Sequence, residues 1–556
     1  MRTRPPFHVS LVLLTLAGFC STAHAQVVLR THDTFYSGLA IARGMDGVGD
    51  VNADGVGDYA IGYPRDYTFG LGTGVVRVFS GLDGSVLRVH PGVGQEQLGT
   101  VVKGLGDVDG DGIDDLGASA LEFDNGFFNA GRVRVFSGAT GLELLSVEGT
   151  ASNQAFGAAM CRLGDVNGDG HQDFVVSAYD ANFNMDGAVH VVSGLDGSLL
   201  ASQLGAPGAR LGSSLSFAGD QNADGTPDFA VITQFGSRVQ TRSGLDGTVI
   251  RGISSGLDFF GTVDADSDID GDGTNDLVVS ALIITIQGSY SGSANVYSGA
   301  TGQQLFHYDA AQLQSTSFGV ACEALPDLDG DGRGEFAVAS YGYSWNAAPT
   351  QNAQLFLFSG TGALLYRVDG ALSAAAGGGL VQTGDIDGDG RPELLFDAEF
   401  DYGTNQIRGL VRVITSLSVI GATTTCPVTP NSTGVPARLQ VFGTSVLGSD
   451  HLHVRASNLP AFALGYLVAS QTTQGGVTPP NSQGTLCLGG TIGRFFAQAG
   501  NSGTAGLLFT DIDLANMPSP LSAVQAGETW TFQAWHRDAN PTTTSNFSEA
   551  VTVVFQ

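Results

Sequence analysis

The sequence predicts an all-β protein, a seven-bladed β-propeller followed by a β-sandwich, and three observations predict it. An acidic loop with an internal glycine recurs seven times, at steps of 57, 58, 55, 48, 59 and 58 residues. Four strand-like segments accompany each copy, which is the makeup of a radial array of small sheets rather than of a single core. The composition is turn-rich and charge-poor, with 81 glycines and 14% charged residues in 556. That length is enough for two or more domains.

Residues 1–25 have the form of a secretory signal: Arg2 and Arg4 give a basic start, residues 9–19 an apolar centre, and Ala23-His24-Ala25 a small-residue cleavage site. Bulky Phe19 before Cys20 argues against lipidation there. Cleavage is expected after Ala25, leaving a secreted or cell-surface protein. No later apolar run reaches membrane-spanning length. Residues 27–32, Val-Val-Leu-Arg-Thr-His, resemble the fourth strand of the first repeat, Val86-Leu87-Arg88-Val89-His90. The last repeat has no evident fourth strand after Leu410-Val411-Arg412-Val413-Ile414. The displaced first strand is therefore expected to complete the last blade and close the ring, which removes an open sheet edge. An open solenoid of the same units would not need it.

The loops follow the pattern D-x-[D/N]-x-D-G-x-x-[D/E]. In order, positions 1, 3, 5, 7 and 9 are Asp50, Asn52, Asp54, Val56, Asp58; Asp107, Asp109, Asp111, Ile113, Asp115; Asp165, Asn167, Asp169, His171, Asp173; and Asp220, Asn222, Asp224, Thr226, Asp228. The last three loops supply Asp268, Asp270, Asp272, Thr274, Asp276; Asp327, Asp329, Asp331, Arg333, Glu335; and Asp385, Asp387, Asp389, Arg391, Glu393. Calcium takes six to eight hard oxygen ligands at about 2.3–2.6 Å, and a tight loop presents them from alternate positions. Positions 1, 3, 5 and 9 offer side-chain oxygens. Position 7 varies freely, as a main-chain carbonyl ligand allows. Position 6 is glycine in every copy, where a reversal favours φ > 0. Up to seven structural Ca²⁺ are expected. Loops with Asn at position 3 carry one charge fewer and are expected to bind more weakly. EF-hands are excluded, because their loop closes with Glu at position 12 between helices, whereas these flanks are β-like, as in Phe174-Val-Val-Ser-Ala178.

Within each repeat, one strand precedes the loop and a second follows it. The third ends in Ser-Gly, as in Val76-Arg-Val-Phe79-Ser-Gly and Val133-Arg-Val-Phe136-Ser-Gly. A turn such as Leu82-Asp83-Gly84 leads to the fourth; Asp-Gly between alternating apolar residues is a hairpin signal.

At this point the chain resembles the FG-GAP, integrin-α-type β-propeller. Phe156-Gly157, Phe260-Gly261 and Phe318-Gly319 carry the Phe-Gly pair, with Leu98-Gly99 and Leu211-Gly212 as variants. Gly378-Gly379 and Ser37-Gly38 depart further, and the Gly-Ala-Pro half is degenerate, Gly62-Tyr63-Pro64 being nearest. The resemblance covers residues 26–416, and its calcium loops are its most specific part. It implies structural calcium and extracellular recognition.

Residues 417–556 hold no such loop, and short Val, Leu and Phe-rich segments between Gly, Pro, Asn and Thr suggest a β-sandwich. Cys426 and Cys487 fall in this unit and are expected to pair, in keeping with export. Cys161 and Cys322 fall in the third and sixth repeats, too far apart to bridge, and are read as buried thiols. His451 and His453 share a side of a strand, but no further zinc ligand is in view.

Strand alternation puts the metal loops and the Ser-Gly hairpins on one face of the ring. The other face carries long, dissimilar loops rich in aromatics: Tyr63, Tyr67, Phe69, Phe127, Phe128, Tyr179, Phe183, Tyr341, Tyr343, Trp345, Phe400 and Tyr402. Variable loops on a rigid scaffold are where recognition usually sits. Tyr63, Tyr67, Phe127, Phe128, Tyr179, Tyr341, Tyr343, Trp345 and Tyr402 are the candidate ligand contacts.

A net charge of −30, with Lys103 the one lysine, makes nucleic acid and anionic membranes poor partners. No nucleophile elbow, His-Glu-x-x-His or phosphate-cradling Gly-Lys-Ser/Thr is present. The first reading is a calcium-stabilised, non-enzymatic binding or adhesion protein whose partner is an extracellular glycan or protein. A polysaccharide lyase or hydrolase on the same scaffold, with Arg65 and Arg408 near the aromatic face, is the second. A structural spacer in a surface layer is the third.

Overall fold

The computed structural model describes residues 28–34, 44–70, 72–180, 185–234, 238–254, 259–284, 290–310, 312–313, 318–328, 331–340, 354–369, 379–386, 391–397, 409–414, 419–420, 422–423, 426–443, 451–502, 506, 508–539 and 543–555. The expected leader lies outside them. Regular structure among the described residues is β, apart from a short 3-10 turn at Phe496–Gln498.

Each of the first six repeats becomes one four-stranded antiparallel sheet with its strands in chain order. The first contains Met45–Gly49, Asp58–Tyr63, Val75–Phe79 and Val86–Pro91; the second Val102–Gly106, Asp115–Ala120, Arg132–Phe136 and Glu143–Glu148. Burial follows position in the sheet. The second strand is buried at every residue in the first four sheets, while the fourth is mostly exposed or half-buried, as in Glu143–Glu148. A strand pressed between two neighbouring sheets must be apolar or hydrogen-bonded on both faces, which is why Phe174-Val-Val-Ser-Ala178 shows a continuous run rather than alternation.

Six sheets follow this plan, and a seventh is assembled from both ends of the ring. Leu380–Gln382, Leu394–Asp397 and Gly409–Ile414 are completed by Val28–Thr34, which pairs antiparallel from Val28↔Ile414 to Thr34↔Gly409. The closing strand expected from residues 27–32 is present. Innermost strands of successive sheets touch in turn, and Leu380–Gln382 of the last meets Met45–Gly49 of the first. The sheets thus form a closed ring, the architecture of a β-propeller. Gly157 of a Phe-Gly pair lies at a close approach between two sheets: its φ is +94°, and a Cβ on it would lie 2.9 Å from Ser119 Cβ of the preceding sheet.

Polar side chains on the innermost strands stitch neighbouring sheets together. Asp46 accepts from Gly104 N at 3.0 Å, Ser216 Oγ from Ala265 N at 3.0 Å, Asp264 from Ala324 N at 2.7 Å, and Glu323 from Gln382 N at 2.8 Å. Each bond joins a side chain of one sheet to the backbone of the next.

His90 fills a different inter-sheet gap, its ring 4.3 Å from that of Phe136 in the next sheet. Burial, and then the charges of Arg134 and Arg88, lower its pKa from 6.5 to about 4. Between those values the unfolded chain holds the extra proton, so this contribution to stability is lost as pH falls from above 6.5 towards 4. The full shift corresponds to on the order of 3 kcal/mol. A His90→Phe variant keeps a ring against Phe136. Denaturation from pH 7 to 4 is expected to show a shallower acid decline for it than for the parent; superimposable profiles would contradict the assignment.

From Val419 onward the described strands form two larger sheets and a separate two-stranded hairpin. Val419–Ile420, Arg438–Gly443, His451–Ser457 and Leu508–Asp513 make the smaller; Leu464–Ser470, Thr529–Ala539 and Thr543–Val554 are the main strands of the larger. Leu439, Val441, Leu452 and Val454 of one meet Leu467, Trp530, Phe532 and Val551 of the other in a common core. Cys426 and Cys487 are disulfide-bonded with Cα atoms 6.0 Å apart, as expected. That bond fastens the Thr472–Val477/Leu486–Gly489 hairpin to the start of this unit. Arg455 donates to Leu364 O in the sixth sheet, tying this unit to the ring.

Candidate functional site

The acidic loops join the first and second strands of each sheet, and their wiring repeats. In the second loop, Asp107 accepts from Asp111 N (3.0 Å) and Gly112 N (2.9 Å), Asp109 from Asp111 N (3.1 Å), and Asp111 from Ile113 N (2.9 Å). These bonds wind the backbone about its own carboxylates, as Asx turns do. Position 6 has positive φ in every described copy, for example +88° at Gly112 and +92° at Gly273, and a Cβ added there would meet no atom within 4 Å. Conformation rather than crowding therefore selects glycine there.

The closing acid has a second task. Asp115 is fully buried, accepting from Val108 N at 2.8 Å and from Gly138 N, in the Ser-Gly hairpin, at 2.9 Å. Asp58, Asp173, Asp228 and Asp276 make the same pair of bonds, to Gly81, Gly194, Gly244 and Gly299 on the hairpin side. The expected sharing of a face by loop and hairpin is thus a direct contact. Burial, opposed by these N–H groups and reinforced by neighbouring acids, raises Asp58, Asp115 and Asp228 to about 6 and Asp276 to about 7.

Three acidic groups converge so that their oxygens lie within 4.8 Å of one another: Asp107, Asp109 and Asp115; Asp268, Asp270 and Asp276; and Asp327, Asp331 and Glu335. An all-oxygen donor set of this size, closed in each case by a fully buried carboxylate, fits a hard divalent cation. Where position 3 is Asn, its amide donates to the position-5 acid: Asn52 to Asp54 at 2.9 Å, Asn167 to Asp169 at 2.9 Å, Asn222 to Asp224 at 2.8 Å. Those loops relieve part of their charge internally. Asp329, Asp387 and Asp389 lie outside the described residues.

Neighbouring loops also touch, which the sequence pattern did not reveal. His171 Nδ1 is 2.7 Å from Val108 O of the preceding loop. At position 8, Gln172 and Asn275 pack against Gly106 and Gly219 of the sheets before them. The free variation of positions 7 and 8 concealed these contacts, since each uses a different side chain.

Around the axis, a cavity of about 630 Å³ is lined by innermost strands of all seven sheets. Lys103 reaches Asp46 at 3.3 Å, and Arg162 pairs with Asp266. Burial, then the charge of Asp264, pushes Glu323 well above the usual carboxylate range. Cys161 and Cys322 are unpaired, buried thiols here, as expected, each pushed up to about 12 by burial. Neither is a reactive thiolate. The carboxylates Asp46, Asp264 and Glu323 are committed to the inter-sheet bonds described above.

On the far face, Tyr67, Phe69, Phe127 and Phe128 are exposed. Phe128 O accepts from Asn153 N at 2.7 Å, so the aromatic loop of the second sheet lies against the connection into the third. Tyr179 is half-buried, its hydroxyl bonded to Gln234 and its ring beneath Arg210. Tyr63 departs from expectation: at 5% exposure it belongs to the core with Tyr59, Ile61 and Val75, under Arg77. It ends a strand buried on both faces and is not available to a ligand. Arg65 is exposed. Phe183, Tyr341, Tyr343, Trp345, Phe400, Tyr402 and Arg408 lie outside the described residues. His451 and His453 lie on the strand His451–Ser457, and their side chains lie outside the described residues.

Two family profiles match within the ring: one described as FG-GAP-like repeat over residues 327–396, the other as FG-GAP repeat over residues 156–192. The chain is also 38% identical over 148 residues to integrin alpha-PS2 of Drosophila melanogaster, a match that takes in 22% of this chain. It spans 10% of that relative's length.

Proposed function

For a chain that is an FG-GAP, integrin-α-type repeat protein, we propose the role of a calcium-stabilised, non-enzymatic extracellular binding or adhesion module. Its ring of seven blades over residues 26–416 would present the ligand face, with residues 417–556 as a separate β-sandwich domain. The observation that carries this reading is the division of the ring into two unlike faces. One face is a repeated set of acidic cages tied by their closing acids to the adjacent hairpins. The other is a set of dissimilar loops with exposed Tyr67, Phe69, Phe127 and Phe128. Calcium would neutralise each cage and hold loop to hairpin, leaving the opposite loops as a rigid recognition surface.

The partner class is an extracellular glycan or protein. An enzymatic role would call for an uncommitted acid or base in a cleft; of the five acids lining the channel, Asp46, Asp264 and Glu323 accept backbone N–H groups and Asp266 pairs with Arg162. Secretion is supported by the form of residues 1–25 and by the disulfide. No helix among the described residues is long and apolar enough to cross a membrane.

The test is a glycan and protein array probed with and without calcium, using the full chain and a Phe127→Ala/Phe128→Ala variant. Calcium-dependent retention that weakens about tenfold or more in the variant, at unchanged melting temperature, is expected for exposed aromatic anchors. Retention indifferent to both calcium and the variant would overturn the reading.

A further inference from the structure

Outside the ring, the larger C-terminal sheet has an outer face that the role above does not use. Along Leu464–Ser470, Leu467 and Ala469 point into the common core, so Leu464, Tyr466 and Val468 point outward. Tyr466 pairs across the strands with Trp535, the rings 4.8 Å apart and tilted by 31°, and Phe496 lies against Tyr466 at 4.4 Å with a tilt of 42°. The base of this three-ring stack rests on the small buried cluster of Val468, Leu488 and Phe547. Phe496 at its end is 60% exposed. A stack fixed in this way presents apolar ring surface already ordered, so little rotamer freedom is lost when something covers it.

Two arginines flank the stack. Arg494 stands opposite Val468 in register, and its charge acts on the Tyr466 hydroxyl. Arg537 lies two residues beyond Trp535 on the same strand, hence on the same face. Both are exposed, and neither has a carboxylate within ion-pair distance among the described residues. In a chain of net charge −30, two uncommitted guanidinium groups bordering one aromatic stack form a local positive frame.

We propose that this face binds a carboxylated polysaccharide. The apolar faces of successive sugar rings lie against Phe496, Tyr466 and Trp535, and sugar carboxylates pair with the planar forks of Arg494 and Arg537. Charge complementarity selects this occupant over a neutral glycan, which would leave both guanidinium groups unused. It also disfavours a second copy of the chain, which brings the same strongly negative net charge. The proposal stands independently of the loop-face reading, since it concerns other residues on another sheet.

The test is affinity electrophoresis of the full chain in millimolar calcium through hyaluronate, a carboxylated polysaccharide that calcium does not gel, and through dextran. The expected result is retardation by hyaluronate, weakened by salt, with little by dextran. Phe496→Ala and Arg494→Gln are each expected to weaken it about tenfold at an unchanged melting temperature, and Arg494→Lys to restore it only in part. Equal retardation of parent and variants would overturn the proposal, as would equal retention by dextran. So would sedimentation showing that Phe496→Ala merely splits a dimer. If Phe127→Ala/Phe128→Ala abolished retardation while Phe496→Ala did not, this site would fall and the loop face would stand.

Discussion

Removing divalent cations with EDTA is expected to lower the melting temperature on the order of 10 °C or more, and restoring calcium to recover it. Each loop bound with an affinity usual for extracellular sites, Kd about 10⁻⁴–10⁻³ M, adds about 1 kcal/mol at millimolar calcium by mass action. Several such sites acting on one ring add up to a shift of that size. The converging groups Asp107–Asp109–Asp115 and Asp268–Asp270–Asp276 should release calcium last. The loops with Asn52, Asn167 and Asn222, whose amides already quench a neighbouring acid, should release it first. Differential scanning fluorimetry across a calcium titration measures both. An unchanged transition in EDTA would remove the ion from the account.

The second large effect is expected at the closing acid and does not need the ion. Asp115→Ala takes away the acceptor of Val108 N, Asp109 N and Gly138 N in a fully buried place. Stranding a buried donor costs about 1–3 kcal/mol, so a loss of about 3–6 kcal/mol is expected with EDTA present as well as without it. Asp109→Asn should behave differently. Its carboxylate is a converging oxygen with one local bond, to Asp111 N, so its cost should be visible in calcium and small in EDTA. Chemical denaturation of the two variants, each with and without calcium, separates a carboxylate that holds the backbone from one that holds an ion. Equal stability of the two variants in EDTA would refute that division.

Much of the ring was legible because its signals are local and repeated. The position-6 glycines, the Ser-Gly hairpins and the likeness of residues 27–32 to residues 86–90 each follow from backbone chemistry within a few residues. What escaped depends on contacts between repeats. In the sequence Tyr63 groups with the loop aromatics, yet the strand Asp58–Tyr63 is buried along its whole length, and Tyr59, Ile61 and Tyr63 pack against Val381 and Leu395 of the seventh sheet. Asp46, Asp264 and Glu323 stand four residues before the first Asp of their loops, a regularity that is visible in the sequence. Nothing in the sequence said that they accept N–H groups from the following sheet. The stack of Phe496, Tyr466 and Trp535 joins three distant segments, and no periodicity marks it.

The strand Val28–Thr34 is made first, and the strand it pairs with, Gly409–Ile414, is made after six complete sheets. At roughly 5–20 residues per second, synthesis leaves that first strand waiting on the order of tens of seconds with no sheet to join. The six intervening sheets can order as they emerge, but the circle locks only when its two distant ends meet, a high-contact-order step that is intrinsically slow. Until then the newborn polypeptide carries a bare β-edge at each extremity, the feature most apt to recruit a stranger's strand. Shielding during manufacture is therefore a requirement this topology imposes.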